Sequence, residues 1–295
     1  MSGEAAKTLH EGGTKDRWKG TMTMKSINPL YGALGGDFVG SIYERHNHKD
    51  KEFPLLNYNC RLTDDSILTM ATADAICSDG NYSLAYHRWG NRHPHRGYGG
   101  RFRSWLNTPE KEAMPYGSWG NGAAMRVSPI GFAYQTVDEI LDAAEASASA
   151  THNHPEGIRG AQATALAVFL ARTGTSKDDI KHEIESRFDY NLSQSLDSIR
   201  PTYFFDVSCQ GTVPVAIRAF LESCSYEDAI RNAISVGGDS DTIAAITGGI
   251  ALAYYREMPE CLIAAIESNM TADMEDVCNR FWTRFALPED RNHDV

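Results

Sequence analysis

What this sequence lacks narrows it first. No segment of the 295 residues sustains the apolar–polar alternation of a half-buried strand, which sets aside sandwiches, barrels and open sheets. No apolar run approaches the ~18 residues of a membrane-spanning helix, and no leader of the secretory kind stands at the start. A membrane partner is therefore not expected. The six cysteines (Cys60, Cys77, Cys209, Cys224, Cys261, Cys278) form no C-x-x-C pair and no zinc spacing. Scattered through apolar stretches, they read as reduced thiols of a cytoplasmic protein. Positive charge is also short: 28 Lys and Arg against 39 Asp and Glu leave a net −11. That balance argues against broad duplex binding, which needs many phosphate contacts, while a local basic groove and a nucleic-acid substrate stay open.

What is present is helical periodicity. Apolar residues recur at helical spacing over Thr63 to Ser78, Val137 to Thr151, Gly157 to Arg172, Ser176 to Phe188 and Ala272 to Phe285. Shorter helices are expected near Leu84 to Trp89, Val213 to Glu222, Tyr226 to Val236 and Cys261 to Glu267. Tyr190 to Asp206 reads as an irregular connection broken at Pro201. No linker and no fixed-period repeat divides the chain. The expected architecture is all-α, a compact single-domain multi-helix bundle over residues 26–295, with residues 1–25 a flexible extension.

Two acidic clusters stand out from this helical background. Gly237-Gly238-Asp239-Ser240-Asp241-Thr242 leads into the Ala/Ile-rich run after Ile243, and Thr63-Asp64-Asp65 leads into a second apolar helix. One aspartate at such a joint is an ordinary N-cap, but two with a threonine exceed what capping requires. Adjacent buried carboxylates repel unless a proton or cation compensates, and all-oxygen ligation favours Mg²⁺, Mn²⁺ or Ca²⁺ over zinc. Both clusters are expected to converge on shared divalent ions. Glu44 closes a glycine-rich helix, Tyr31 to Glu44, and is a candidate to face the same site.

Three further stretches carry candidate contacts. His87 to Pro109 reads as a loop with five arginines, three histidines and no acid, a local positive field suited to phosphate. Within it, Tyr98-Gly99-Gly100 could bring backbone N–H groups to a pyrophosphate. Gly117-Ser118-Trp119-Gly120-Asn121-Gly122 frames an exposed-looking indole suited to stacking on an aromatic ligand. His152 and His154 lie in a loop without further ligands at zinc spacing.

With these residues in view, the sequence resembles the ADP-ribosylglycohydrolase family, which includes dinitrogenase reductase activating glycohydrolase. The resemblance covers most of the chain after Ile27. It rests on five segments in order: the Gly-Asp…Glu stretch ending at Glu44, Thr63-Asp64-Asp65, Gly117 to Gly122, Thr151-His152, and Gly238 to Thr242. It implies a compact α-helical fold around two Mg²⁺ (or Mn²⁺) ions held by Thr63, Asp64, Asp65, Asp239, Asp241 and Thr242. Tyr98, Gly99, Gly100, Gly117, Ser118, Trp119, Asn121 and His152 would line an ADP-ribose pocket. Glu44 or Asp241 would act as the catalytic carboxylate. Ser240 stands where many relatives have threonine, a position not expected to ligate metal.

The activity implied is Mg²⁺-dependent hydrolysis of the bond between ADP-ribose and a modified protein side chain or small molecule, releasing ADP-ribose. The residues leave the acceptor open among arginine, serine, nucleobase and small-molecule linkages, and they leave the oligomeric state open. Alternatives are a non-catalytic ADP-ribose reader, a crystallin-like structural relative, and a phosphohydrolase acting on the pyrophosphate.

Overall fold

A computed structural model describes residues 27–286, and fourteen α-helices follow one another through them without a β-strand. They are α1 (Tyr31–Gly40), α2 (Asp64–Cys77), α3 (Tyr82–Arg92), α4 (Gly100–Leu106), α5 (Ser128–Ala133), α6 (Val137–Ser149) and α7 (Pro155–Arg172). Then come α8 (Lys177–Phe188), α9 (Leu196–Ile199), α10 (Cys209–Leu221), α11 (Tyr226–Ser235), α12 (Ser240–Tyr255), α13 (Glu260–Asn269) and α14 (Ala272–Phe285). The extension expected over residues 1–25 lies outside the described residues. No described helix is long and apolar enough to cross a membrane.

The Ala/Ile run after Asp241 becomes the axis of the molecule. α12 is buried from Ser240 to Ala253, apolar on every side, and packs against α1, α7, α10 and α11. Its closest neighbour is α1, and small residues make that approach possible. A Cβ at Gly36 would overlap the Ala244 carbonyl, and one at Gly40 would come within 2.6 Å of the Asp241 Cα. Gly32 and Gly248 meet backbone to backbone further along the same seam. The glycines near Tyr31 therefore serve packing. Their consequence is that the C-terminal turn of α1 lies directly on the N-terminal turn of α12.

Helix starts follow side-chain chemistry. Thr63, Thr136, Ser176, Ser208 and Ser225 each accept a hydrogen bond from a first-turn N–H of the helix they precede. At Thr136 the bond is reciprocated by Glu139, forming a capping box.

The fold corrects four expectations. The helix from Tyr31 ends at Gly40, and Glu44 sits on the following turn. The arginine-rich stretch is mostly helical, containing the end of α3 and all of α4, because Asn81 and Gly99 start helices there. Its field is partly cancelled too. Arg88 pairs with Asp74, and Arg92 pairs with Asp273 at 3.1 Å. The connection from Tyr190 to Asp206 contains the short helix α9, capped by Ser195. The helix expected from Val213 begins at Cys209, because Ser208 caps it and Pro214 is accommodated within it.

Candidate active site

The acidic clusters meet where α1, α2 and α12 converge. Gly237 and Gly238 both take left-handed backbone (φ +77° and +75°), a turn that side-chain-bearing residues adopt only with strain. This turn delivers Asp239 to the N-cap of α12 and Asp241 to its first turn. Asp239 makes no side-chain cap bond; its Oδ2 instead accepts from Asn121 Nδ2 at 2.7 Å. Capping therefore does not account for Asp239. On α2, Thr63 takes the capping role, accepting from the Asp65 N–H at 3.3 Å, and leaves Asp64 and Asp65 uncommitted to it.

Two triads of carboxylate oxygens can each close within 4.8 Å: Asp37 with Asp65 and Asp241, and Glu44 with Asp239 and Asp241. Asp241 belongs to both. Asp37 was not among the expected residues. It is fully buried, and its two oxygens accept from Thr63 N (2.8 Å), Thr63 Oγ1 (2.6 Å), Ser66 N (3.2 Å) and Ser66 Oγ. With three donors on Oδ2 and one on Oδ1, Asp37 holds the start of α2 in place, where the helix dipole also favours a negative charge. Asp65 is the opposite case: its Oδ1 is buried without any hydrogen-bond partner. The signal for Asp37 in the sequence was a lone acid inside a run of Gly, Ala, Leu and Phe, a position that packing alone never requires.

Electrostatics follows from this crowding. Burial raises every aspartyl carboxyl of the cluster, half-buried Asp64 included, and repulsion from neighbouring acids adds to it at Asp64, Asp65, Asp239 and Asp241. Asp64 is pushed up to about 8 and Asp239 to about 6, while Asp37, Asp65 and Asp241 also lie above the usual carboxylate range. Among the described residues no Lys or Arg forms an ion pair with any of these five. Only Glu44, at the outer edge, has one, with Arg45 at 3.8 Å. A buried set of acids without a basic partner and with an orphaned oxygen fits divalent cations bound through oxygen.

The other expected residues form the rim. Asn121 ties the Gly117–Gly122 loop to Asp239, and its Nδ2 also reaches Thr212 Oγ1 at 3.2 Å. Gly117 has φ +63° and donates its N–H to Asn153 Oδ1 at 2.8 Å; Ser118 Oγ accepts from Gly120 N at 3.2 Å. Trp119 leaves 44% of its surface exposed. His152 sits under the same loop, close enough that a Cβ at Gly122 would meet its Nε2 at 3.1 Å. Burial, with Arg126 and Arg101 nearby, holds the His152 imidazole well below its usual range, and so neutral. Gly97 brings the next loop against Asp64, and Gly99 and Gly100 face open space. Tyr98 does not present its ring: that packs on Phe102, with centroids 5.4 Å apart, and is buried. Of the five arginines, Arg101 faces this rim, donating to the Tyr116 carbonyl and lying over the Tyr116 ring.

A second rim element was missed because it lay in the supposed irregular connection. Asn121 N donates to Val207 O (2.7 Å) and Cys209 N to Trp119 O (3.0 Å), stapling residues 203–209 beside the indole. Phe204 and Phe205 stand exposed there (68% and 53%). Lys49 Nζ fixes the segment, donating to Tyr203 O and Val236 O at 2.6 Å each, so the rim and the Gly237 turn share one anchor.

Comparison with known proteins gives the chain its family. The sequence model of the ADP-ribosylglycohydrolase family matches residues 23–291, and the chain belongs to that family. It is an enzyme of the glycosidic-bond hydrolase class. ADP-ribosylhydrolase ARH3 of Homo sapiens is 29% identical, over 77% of this chain and 84% of that protein. The ARH3 of Xenopus tropicalis is 26% identical, over 84% and 91%. A solved ADP-ribosylglycohydrolase-related protein complex superposes with a TM-score of 0.67 at 23% identity, over 87% of this chain and 96% of that chain. That last likeness is one of fold.

Proposed function

We propose that this chain is a Mg²⁺-dependent ADP-ribosyl hydrolase that releases ADP-ribose from a modified acceptor. The observation that supports this most is the pair of carboxylate triads sharing Asp241, whose four aspartates are buried without a basic partner among the described residues and which open toward Glu44. Asp64, Asp65, Asp239, Asp241 and the Thr63 and Thr242 hydroxyls would hold two Mg²⁺ or Mn²⁺ ions. When bound, such ions supply positive charge and ligating positions for the vicinal hydroxyls of a ribose.

The protein's own groups then divide the work. Hydrolysis at C1″ passes through an oxocarbenium-like state, which nearby carboxylates stabilise. Glu44 stands at the solvent edge of the cluster, beside Asp239 and Asp241, and either it or Asp241 would take the proton of the attacking water. Asp37 keeps the start of α2 in register with α12. The Gly117–Gly122 loop, Trp119, His152 and the backbone of Gly99 and Gly100 would seat the nucleotide, with Arg101 beside the phosphates. Most of the rate would come from positioning and fixed charge.

The test uses arginine-, serine- and nucleobase-linked ADP-ribose as a substrate panel. Asp241→Asn should reduce ADP-ribose release on the order of 10³-fold, and EDTA should abolish it until Mg²⁺ is restored. Full activity in that variant or in EDTA would refute the reading. Binding of ADP-ribose without release from any substrate would instead point to a reader, and AMP as product to a phosphohydrolase.

A further inference from the structure

Glu44 and Asp239 belong to one carboxylate triad but arrive from distant parts of the chain. Without an ion between them the two repel, so their separation has to be held by other groups. Asn47 and Lys49 are placed to hold it. Asn47 Oδ1 accepts from Gly238 N at 3.2 Å, and Lys49 Nζ donates to Val236 O at 2.6 Å. The two side chains thus bind the residue before Gly237 and the residue after it. Gly237 lies directly beneath them: a Cβ there would overlap Asn47 Oδ1 and come within 3.0 Å of Lys49 Nζ. Asp239 follows at once in the chain.

Each of these bonds has a local cause. Val236 is the C-cap of α11, where the last carbonyls have no partner within the helix and the dipole favours a cation. Lys49 supplies both the donor and the charge. A further bond from its Nζ to Tyr203 O, at 2.6 Å, keeps the ammonium in place. Asn47 takes left-handed backbone (φ +44°), which Asn adopts more readily than most residues with a side chain.

The turn that bears Glu44 is stiff enough to transmit this hold. His46 N donates to Tyr43 O at 2.9 Å, and His46 Nδ1 lies 2.8 Å from Ile42 O. The rings of Tyr43 and His48, on either side of Glu44 in the chain, pack with centroids 4.9 Å apart. Both rest on Phe53, at 5.0 and 5.3 Å. Residues 42–49 therefore form one connected unit that carries Glu44 and the two side chains bound to the Gly237 turn.

We infer that Asn47 and Lys49 are positioning residues that clamp the Glu44 turn onto the Gly237–Gly238 turn and so fix the distance between Glu44 and Asp239. The clamp itself does not depend on the proposed function; its effect on turnover rests on that reading, through the two acids.

Amide hydrogen exchange of the full chain reads the clamp without any substrate. Lys49→Met should speed exchange about tenfold over residues 42–49 and 236–239, the size of one lost hydrogen bond, and leave the interior of α12 (residues 246–253) unchanged. Lys49→Arg, which keeps a cationic donor, should restore part of the protection. Asn47→Gly relieves the left-handed backbone but removes the acceptor, so the Gly238 amide should exchange faster; this variant carries the test if Lys49→Met does not fold. Unchanged exchange in these variants would overturn the clamp. In turnover of ADP-ribosylated substrate, Lys49→Met should lower kcat about tenfold with KM nearly unchanged, and Glu44→Gln with Lys49→Met should be no slower than Glu44→Gln alone. Loosened exchange with kcat unmoved, or losses that simply add in the double variant, would overturn the positioning role. A wild type that turns over no substrate in the panel would refute the functional reading, while exchange still decides the clamp.

Discussion

The floor and the rim of this site are built on opposite principles. The floor, Asp37, Asp64, Asp65, Asp239 and Asp241, stands on three helices, two of which, α1 and α12, have backbones that nearly touch. Its geometry is set before any ligand arrives, at the cost of mutual repulsion among unpaired acids. The rim, from Gly117 to Gly122 and from Tyr203 to Val207, is loop held by backbone hydrogen bonds, with Trp119, Phe204 and Phe205 turned to solvent. It carries no strain and little burial. On the proposed function the contrast would separate two tasks: fixed charge for the reacting sugar in the floor, adjustable apolar surface for the rest of the ligand in the rim.

Glycine substitutions should expose this difference most sharply. Gly36→Ala forces a methyl into the Ala244 carbonyl and should cost about 3 kcal/mol of stability or more, read from urea midpoints. Gly100→Ala meets nothing within 4 Å and should leave the midpoint within ~0.5 kcal/mol. Equal losses would mean that the α1–α12 seam is not the rigid part.

Asp65→Asn sharpens the comparison by separating stability from activity. Removing one of several crowded charges should stabilise the metal-free protein by about 1 kcal/mol or more at pH 8. Mg²⁺ should raise the Tm of the wild type, and the same change should abolish turnover and remove most of that rise. Loss of stability on substitution would mean that the cluster carries no repulsion.

The pH dependence follows from the same groups. A carboxyl whose pKa is raised on folding binds its proton more tightly in the native state, so its contribution is complete at low pH and declines as the solution becomes more alkaline. With Asp239 at about 6 and Asp64 at about 8, both raised from 3.8, the Tm of EDTA-treated protein should fall between about pH 4 and pH 8. Mg²⁺ should flatten the decline, and the gap between the two curves should widen toward alkaline pH. A metal-free Tm that rises through this interval would contradict the assignment. The smallest effect belongs to the rim: Trp119→Ala should raise KM roughly tenfold with kcat and Tm nearly unchanged, as expected for one lost stacking contact.

The sequence revealed local features best. Caps and periodicity placed α2, α6, α7, α8 and α14 to within a few residues, because Thr63, Thr136 and Ser176 advertise helix starts through their own hydrogen bonds. The Asp239 and Thr63 clusters were legible because acids ahead of an apolar helix conflict with solvation. What escaped notice depended on partners remote in the chain. Asp37 reads as an oddity in a glycine-rich helix until Thr63 and Ser66 are seen binding it. The arginines between His87 and Pro109 look like an open positive field until Asp74 and Asp273 arrive from other helices. Lys49 and the Tyr203–Val207 segment carry no local pattern, since their bonds are to backbone carbonyls that any sequence offers.

Membership of Asp241 in both triads has a consequence for how the centre fills. On the proposed two-ion reading, one carboxylate reaching to either side would make the two halves a single balance, in which an ion on one side draws the common side chain into the orientation that suits the other. Occupancy should therefore climb together, and a calorimetric titration with Mg²⁺ should trace one steep step rather than two separated ones. Lengthening the shared arm with Asp241→Glu should split that step before it weakens either half.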